Sequence, residues 1–242
     1  MNFNTNKYNI IKAIDENKIL ILENKDTKDT VVAKQGINSK KEYGNLQTLK
    51  DIKSIPTIVE YENSILYTQY KKNTITLTQF IKNNKNISLN IFYNIAIKIM
   101  KIVKEIHLTG LIHKDINTNN ILINTDTKEL YFIDFELSSS IKEKIDINQN
   151  IQELSGHISF ISPEQTGRVN REVDFRSDFY SLGVVFYNLL TSRVPLEAED
   201  LIGVIHQHIT KQPLNPTVIN KNVPKLLSNQ EKHPWCMNFI NH

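Results

Sequence analysis

The spacing of apolar residues changes once along this 242-residue chain, near residue 70. Before that point, short apolar runs separated by Asp, Asn and Lys turns predict the strands of a small antiparallel sheet. The runs cover residues 8–14, 18–22, 30–34, 57–61 and 64–70. Between the third and fourth runs, apolar spacing predicts a helix over residues 39–53. Ser39 is its expected N-cap, because a serine hydroxyl can accept a backbone N–H there.

After residue 70 the apolar residues recur every three to four positions, which predicts helices. The clearest stripe covers residues 89–108, and two further helices are expected over 177–190, capped by Ser177 or Asp178, and over 200–211. A hairpin is expected from residues 120–124 and 130–133. The whole chain is therefore expected to form one α+β domain with two lobes, a β-rich N-lobe over 1–70 and a mainly helical C-lobe over 71–228. Residues 229–242 lack any periodicity and are expected to be a disordered tail.

Composition excludes several classes of protein. The net charge is only +3 and 25 of the 29 basic residues are scattered lysines, which argues against nucleic-acid binding. The single cysteine, Cys236, permits no internal disulfide and no zinc site of paired cysteines. No apolar stretch approaches the roughly 20 residues of a membrane span, so a cytoplasmic location is expected. Three of the four arginines, Arg168, Arg171 and Arg176, fall within nine residues, which indicates a local need for a guanidinium group.

The densest group of polar residues runs from His113 to Asn120 and is followed by Asp134. Asp115, Asn120 and Asp134 offer carboxylate and amide oxygens, which are the ligands that Mg²⁺ prefers. A carboxylate in such a group can also orient a hydroxyl for phosphoryl transfer. Each residue alone is equally well explained by a turn. Together, at this spacing, the three indicate a phosphoryl-transfer site.

Five motifs occur in one order between residues 8 and 216: Val32-Ala33-Lys34, His113-Lys114-Asp115 with Asn120, Asp134-Phe135-Glu136, Ser162-Pro163-Glu164, and Ser177-Asp178. They resemble the eukaryotic-like protein kinase family, whose patterns are V-A-I-K, H-R-D-x-x-x-x-N, D-F-G and A-P-E, followed by a helix with a buried aspartate. Glu42 lies in the helix predicted after the first motif, where the family has the glutamate that pairs with the lysine. The resemblance implies a two-lobed kinase fold that uses ATP and Mg²⁺.

The resemblance also implies a role for each matching residue. Asp115 would orient and deprotonate the acceptor hydroxyl. Lys34, paired with Glu42, would hold the ATP phosphates, and Asn120 and Asp134 would bind Mg²⁺. The remaining implied residues are Ala33, Tyr67, Gln69 and Tyr70 around the adenine, and His113, Phe135, Glu164 and Asp178 as structural support.

Residues 157–178, together with 113–117, are similar to the N-terminal kinase domains of large bacterial multi-domain, multi-sensor signalling kinases. In those proteins an ATPase module, sensor domains and often a histidine-kinase domain follow. The resemblance implies a protein substrate or signalling partner for this chain, with such modules of the same pathway among its partners. The chain would then be a stand-alone or shortened version.

The chain departs from the family pattern at several positions. Every glycine lies at or after Gly36, so the glycine-rich loop expected between the first two strands is missing, and the backbone there should hold phosphates poorly. Glu136 replaces the glycine of D-F-G, and Asn117 stands where serine/threonine kinases carry a lysine. No arginine follows Arg193 to pair with Glu164, which predicts a shortened C-lobe.

These departures leave three functions open. The first is a serine/threonine protein kinase that transfers the γ-phosphoryl of ATP to a signalling protein. The second is a catalytically weak or dead pseudokinase that acts as a binding or regulatory module. The third is a small-molecule kinase of the aminoglycoside or choline type, which the Ser162-Pro163-Glu164 motif argues against.

Other polar residues are expected at the surface. His206 and His208 lie two positions apart on a predicted helix and should point to different sides as polar surface residues. The serines near the third motif are expected to be exposed, and phosphorylation there is compatible with the pattern but not required by it. They are Ser138, Ser139, Ser140, Ser155 and Ser159.

Overall fold

The computed structural model describes residues 3–15, 18–85, 87–140, 158–198 and 200–228. The predicted tail, Ser155 and residues 16–17 lie outside the described residues. The chain divides into two compact units. The first contains the residues up to Ile75 together with Leu122–Ser138, and the second contains Thr76–Ile121 and the described residues from Ser139 onward. The chain therefore enters the first unit twice, and most of the hairpin that the sequence assigned to the C-lobe belongs to the first unit.

The first unit is built on a five-stranded antiparallel sheet. Its strands are β1 (Tyr8–Asp15), β2 (Ile19–Asn24), β3 (Thr30–Gln35), β4 (Ile58–Glu62) and β5 (Ile65–Gln69), in the order β1-β2-β3-β5-β4. All five predicted strands are present, within a few residues of their expected bounds.

One face of this sheet carries a compact apolar cluster of seven buried residues: Tyr8, Leu20, Leu22, Val31, Ala33, Ile65 and Tyr67. The rings of Tyr8 and Tyr67 stack with their centroids 5.2 Å apart. Because neighbouring residues of a strand point to opposite faces, Lys34 lies on the other face from Ala33. The sheet thereby separates the apolar cluster from the charged side chain of Lys34.

The predicted helix after β3 is shorter than expected. Helix α1 covers Ser39–Thr48, its N-cap is Asn38, and its C-cap is Leu49. Ser39 is instead buried, and its hydroxyl donates to the carbonyl of Ser64 over 3.0 Å. Beyond Leu49 the backbone continues in tight turns that bury Ile55. The need to bury Ile55 therefore ends the helix before residue 53.

Further along the chain, β6 (Thr74–Thr76), β8 (Ile121–Asn124) and β9 (Leu130–Phe132) form a three-stranded sheet in the order β6-β8-β9. The polar turn between β8 and β9 is closed by Asn124, whose side-chain oxygen accepts the backbone N–H groups of Asp126 and Thr127. Asp134 lies two residues after the end of β9, so the hairpin fixes the position of the backbone from which that carboxylate extends.

The second unit contains most of the helices: α2 (Leu77–Asn83), α3 (Leu89–Leu108), α4 (Phe175–Thr191), α5 (Leu201–Thr210), α6 (Pro216–Ile219) and α7 (Lys225–Ser228). Helix α2 was not predicted, although its capping box of Thr76 and Gln79 is a recognisable start signal. Two short strands, β7 (Leu111–Ile112) and β10 (Ser139–Ser140), pair antiparallel.

Helix α4 begins two residues earlier than predicted. Asp174 is its N-cap and accepts the backbone N–H of Arg176, so neither Ser177 nor Asp178 caps the helix. Both side chains bond elsewhere in the second unit. Among the helices of the described residues, none has the length and apolar character needed to cross a membrane.

Candidate active site

Lys34 lies among three carboxylates in the first unit. Its Nζ is 2.7 Å from Oδ1 of Asp134, 2.9 Å from Oε2 of Glu42 and 3.1 Å from Oε2 of Glu136. The three acidic groups each place an oxygen within 4.8 Å of the others. The structure therefore brings together Lys34, Glu42 and Asp134 from three separate segments of the chain, and it adds Glu136.

The charges in this cluster shift each other's protonation. Burial on its own would lower the pKa of the Lys34 ammonium, but the neighbouring carboxylates outweigh burial and hold that pKa above its ordinary value. Burial raises the pKa of Glu42, against the opposing effect of Lys34. Lys34 therefore remains a cation at neutral pH, facing more acidic groups than it can neutralise.

Helix α1 carries Glu42 and is hydrogen-bonded to the segment after Asp134. Oε1 of Glu42 accepts the backbone N–H of Phe135 over 3.1 Å, and Asn45 donates to the carbonyls of Phe135 and Ser138 over 2.8 and 2.9 Å. Phe135 is fully buried. Asp134 has a φ of 66°, in the left-handed region that few non-glycine residues adopt. The contacts on either side of Phe135 offset the cost of that backbone conformation.

A second polar group lies in the second unit, around Asp115. The side-chain amide of Asn117 donates to Oδ1 of Asp115 over 2.9 Å, and the amide of Asn120 donates to Oδ2 over 2.7 Å. Both amides also donate to the backbone carbonyl of Asp115. Each carboxylate oxygen of Asp115 is thus fixed by a separate amide. Because Asn120 uses its nitrogen for these bonds, its side-chain oxygen is the atom that would ligate a metal.

Asn117 organises this loop. It is fully buried, and its side-chain oxygen accepts the backbone N–H groups of Asn119 and Asn120. The sequence identified Asn117 only as a departure from the family pattern. An asparagine whose side-chain oxygen can accept the backbone N–H groups two and three residues later is the sequence signal of such a turn.

Asp178 anchors the start of the same loop. It is fully buried in α4 and accepts the backbone N–H groups of His113 over 2.9 Å and Lys114 over 2.8 Å. It is also bonded to Nε2 of His107, 2.7 Å away at the end of α3. His107 was missed at the sequence level. His113 is fully buried, and its Nδ1 accepts the backbone N–H of Asp115 over 3.3 Å.

Glu164 is hydrogen-bonded within the second unit, although no arginine follows Arg193 in the sequence. The hydroxyl of Ser177 donates to Oε1 of Glu164 over 2.6 Å. The next residue, Gln165, donates its side-chain amide to the carbonyl of Lys114 over 2.7 Å. The motif around Glu164 is therefore tied both to α4 and to the loop that carries Asp115.

Ala33 and Tyr67, two of the residues predicted around the adenine, lie next to each other in the sheet. The two residues pair in register between β3 and β5 and are buried in the apolar cluster with Tyr8, on the face opposite Lys34. Val32 shares the face of Lys34, because residues two apart on a strand point the same way. The part of Ala33 and Tyr67 in nucleotide binding stays a prediction.

The other two residues predicted around the adenine lie at the end of β5. Gln69 is exposed and Tyr70 is half-buried. Both line a cavity of about 800 Å³ in the first unit, whose walls include Tyr8, Val31 and Tyr131. Their part in nucleotide binding stays a prediction.

Two surface expectations are wrong. His208 is fully buried and is hydrogen-bonded through Nδ1 to the hydroxyl of Tyr180 over 2.6 Å, whereas His206 lies at the surface. Ser138 and Ser139 are also buried, and the ammonium of Lys114 donates to the Ser139 hydroxyl. The helix buries His208 because it lies three and four positions after Ile205 and Val204, two core residues.

The donor set fits a divalent cation and phosphate. Carboxylate and amide oxygens are hard ligands that suit Mg²⁺, and the side chains of Asp134 and Glu136 remain 33% and 27% exposed, so solvent reaches them. Lys34 supplies an ammonium for a phosphate oxygen. Lys34, Glu42 and Asp134 belong to the first unit, whereas Asp115 and Asn120 belong to the second.

Known proteins are similar to this chain in sequence. The hybrid signal transduction histidine kinase G of Dictyostelium discoideum is 32% identical over an alignment that covers 61% of this chain and 6% of that protein. A protein named as a probable serine/threonine-protein kinase of Clostridium acetobutylicum is 31% identical, covering 63% of this chain and 22% of its own length. A protein of Lactococcus lactis that is also named a probable serine/threonine-protein kinase is 26% identical over an alignment that covers 74% of this chain and 28% of that protein. The chain thus corresponds to less than a third of each of these relatives.

The family comparison covers nearly the whole sequence. The protein kinase domain model matches residues 2–242, a range that includes all five motifs and both polar groups described above. The mixed α+β fold, with a β-sheet unit and a helical unit, agrees with that match. The chain belongs to the protein kinase domain family.

Proposed function

We propose that this chain transfers the γ-phosphoryl group of Mg·ATP to serine or threonine hydroxyls of a signalling protein. The observation that carries the proposal is the fixation of both carboxylate oxygens of Asp115 by Asn117 and Asn120. Members of the family use ATP and a divalent metal in general. A carboxylate held at both oxygens in a loop is suited to orient an acceptor hydroxyl and to take its proton.

The other motif residues would bind the phosphates and the metal or support the loop. Lys34, fixed by Glu42, would bind phosphate oxygens in the first unit. Asp134 in the first unit and the side-chain oxygen of Asn120 in the second unit are each proposed as Mg²⁺ ligands. A bound Mg²⁺ would neutralise charge on the transferring phosphates. Asp178 acts indirectly, because it holds the backbone of His113 and Lys114 at the start of the loop. ATPase, sensor or histidine-kinase modules of the same pathway are the proposed partners.

The proposal is tested by phosphate transfer from labelled Mg·ATP to degenerate peptide libraries with Ser, Thr or Tyr as acceptor. Asp115→Asn should abolish transfer while the chain still unfolds cooperatively, at a somewhat lower melting temperature, because one of the two acceptor oxygens becomes an amide nitrogen that faces an N–H donor. Asp51→Asn, at an exposed carboxylate, is the matched control and should keep full activity. Equal transfer by the Asp115→Asn variant would refute the assignment. Transfer to aminoglycosides or choline but not to peptides would point to the small-molecule alternative.

A pseudokinase is the second candidate, because one specific contact favours it. Glu136 is ion-paired with Lys34, the residue needed for phosphate, and every glycine lies at or after Gly36. The melting temperature of the chain with and without Mg·ATP separates the two functions, since ligand at about 100 times Kd stabilises the native state by roughly 2.7 kcal/mol. A shift that is lost in Asp134→Asn supports the kinase, and a cooperative melt without a shift supports the pseudokinase.

A further inference from the structure

The Lys34 ammonium has as many carboxylate partners as it has N–H groups. An ammonium carries three N–H donors, and the three contacts at 2.7, 2.9 and 3.1 Å come from Asp134, Glu42 and Glu136. The Lys34 side chain is only 17% exposed, so its room for further partners is small. A phosphate oxygen that approaches Lys34 must therefore replace one of these carboxylates.

The three carboxylates differ in how firmly they are held. The Glu42 side chain is 5% exposed, and its second oxygen is bonded to the backbone of Phe135. Asp134 lies two residues after the hairpin and makes the shortest contact with Lys34. Glu136 makes the longest contact and is 27% exposed, and its Oε1 lies against Gly36, 3.5 Å from where a Cβ of that residue would stand. Glu136 is the carboxylate that a ligand can displace most readily.

We propose that Glu136 competes with the nucleotide phosphates for Lys34 and so sets the affinity of this site for phosphate-bearing ligands. The inference rests on the proposed function, since it concerns nucleotide binding at the same lysine. It assigns Glu136 as a positioning residue that acts through Lys34. The glycine that the family pattern has at this position carries no side chain and cannot compete in this way.

Charge adds to the competition. The carboxylate oxygens of Glu42, Asp134 and Glu136 lie within 4.8 Å of one another, and an arriving phosphate brings further negative charge. Repulsion at such distances is hardly screened by salt, because the Debye length at physiological ionic strength is about 8 Å. A divalent cation offsets part of this repulsion. Glu136 therefore penalises metal-free ATP more than Mg·ATP, and it leaves adenosine, which has no phosphate, unaffected.

The test measures the binding of Mg·ATP, metal-free ATP and adenosine to the full chain by titration calorimetry. The variants are Glu136→Gln, which removes the charge and keeps the size, and Glu136→Gly, which removes the side chain. Glu23→Gln, at the far end of β2, is the control with the same charge change. We expect Glu136→Gln to tighten Mg·ATP binding about tenfold, the usual scale for one charge-assisted contact. Metal-free ATP should gain more, and adenosine should not change.

A second measurement needs no nucleotide. Acetylation of Lys34 by an amine-reactive ester, followed by peptide mass spectrometry, should be faster in Glu136→Gln than in the wild type, because the ammonium loses one stabilising partner. Glu23→Gln should leave that rate unchanged.

The outcomes separate the inference from the proposed function. If ATP binds with equal affinity to the wild type and to both Glu136 variants, the competition is refuted and the kinase function stands. If neither the wild type nor any variant binds ATP, both fail. If the acetylation rate of Lys34 is unchanged, Glu136 does not occupy the ammonium and the inference is wrong regardless of binding.

Discussion

Asn117 donates a side-chain N–H to Oδ1 of Asp115 over 2.9 Å, while its own side-chain oxygen accepts two backbone N–H groups of the same loop. A single buried amide thus fixes both the shape of the loop and the direction of the carboxylate. Serine/threonine kinases carry a lysine at this position, whereas the asparagine of this chain holds Asp115 in place.

Replacement of Asn117 should therefore affect catalysis more than nucleotide binding. Asn117→Ala leaves Oδ1 of Asp115 and two backbone N–H groups without this partner, and we expect kcat to fall ten- to a hundredfold with little change in the Kd of Mg·ATP. Stability should fall by about 1–3 kcal/mol, the cost of unsatisfied buried polar groups. Steady-state kinetics and urea denaturation measure the two effects.

Asn119→Ala is the matched control, since Asn119 is the exposed neighbour in the same loop. It should retain both activity and stability. A loss of activity in Asn119→Ala as large as that in Asn117→Ala would mean that the loop tolerates no change, and the specific role of Asn117 would be refuted.

Asp178 should be a major source of stability in the second unit. In Asp178→Asn the charge is lost, and one of the two acceptor oxygens becomes an amide nitrogen that faces a backbone N–H. We expect a loss of about 2–4 kcal/mol in the free energy of unfolding, because bonds to a buried charge are the strong ones. Urea denaturation measures the loss, with exposed Glu172→Gln as the control. A loss below the experimental error would show that the loop backbone does not depend on Asp178.

Lys34 should stabilise the first unit chiefly by neutralising carboxylates. In Lys34→Met the groups of Glu42, Asp134 and Glu136 would face one another without a cation, which should cost about 3–5 kcal/mol at pH 7. Burial already raises the pKa of Glu42 and the Lys34 cation opposes that rise, so in the variant the pKa of Glu42 would rise further above its value in the unfolded chain. The part of the stability that depends on a carboxyl group with a raised pKa is present at low pH, and it is lost as the pH rises through that pKa.

The gap in stability between wild type and Lys34→Met should therefore narrow as the pH is lowered from 7 towards 4.5. Urea denaturation of both proteins across this range measures the gap. Lys12→Met, at an exposed lysine of β1, is the control and should show no such narrowing. A constant gap for Lys34→Met would mean that lost packing, rather than charge, explains the loss.

His208 should make the second unit sensitive to acid. Burial lowers the pKa of His208 to about 4, well below the ordinary value of 6.5. The unfolded chain therefore binds more protons between these values, and stability that is complete above pH 6.5 is lost as the pH falls towards 4. This amounts to about 3 kcal/mol for a shift of this size.

The variant His208→Gln keeps a side-chain acceptor for the Tyr180 hydroxyl but has no ionisable group. Relative to the wild type, it should become progressively more stable as the pH falls from 7 to 4, as measured by urea denaturation. Identical pH profiles for the two proteins would show that His208 does not contribute to the acid sensitivity.

Local patterns predicted most of the framework. The five strands of the sheet and helix α3 follow from the spacing of apolar residues, and the order of the motifs predicted that Glu42 would be the partner of Lys34. The alternation of strand residues also contained information that was not used. Ala33 is adjacent to Lys34, so it had to face the other side of β3, and Val32 had to share the face of Lys34.

Contacts between distant segments could not be predicted in the same way. The bond between Ser177 and Glu164 depends on how α4 packs, and a pattern that expects an arginine gives no reason to choose a serine hydroxyl. The end of α1 depends on the burial of Ile55, six residues beyond its C-cap. Glu136 was recognised as a departure, but its contact with Lys34 arises only from the fold around Asp134.

The first turn of α4 holds two other segments at once, since Ser177 bonds Glu164 and Asp178 bonds the backbone before Asp115. Opening of that turn would release both segments together. Amide hydrogens of the loop and of the segment around Glu164 should then show one common free energy of opening in hydrogen exchange, as a single cooperative unit. A local fluctuation at one end of a helix would in this way control how long the loop around Asp115 keeps its shape.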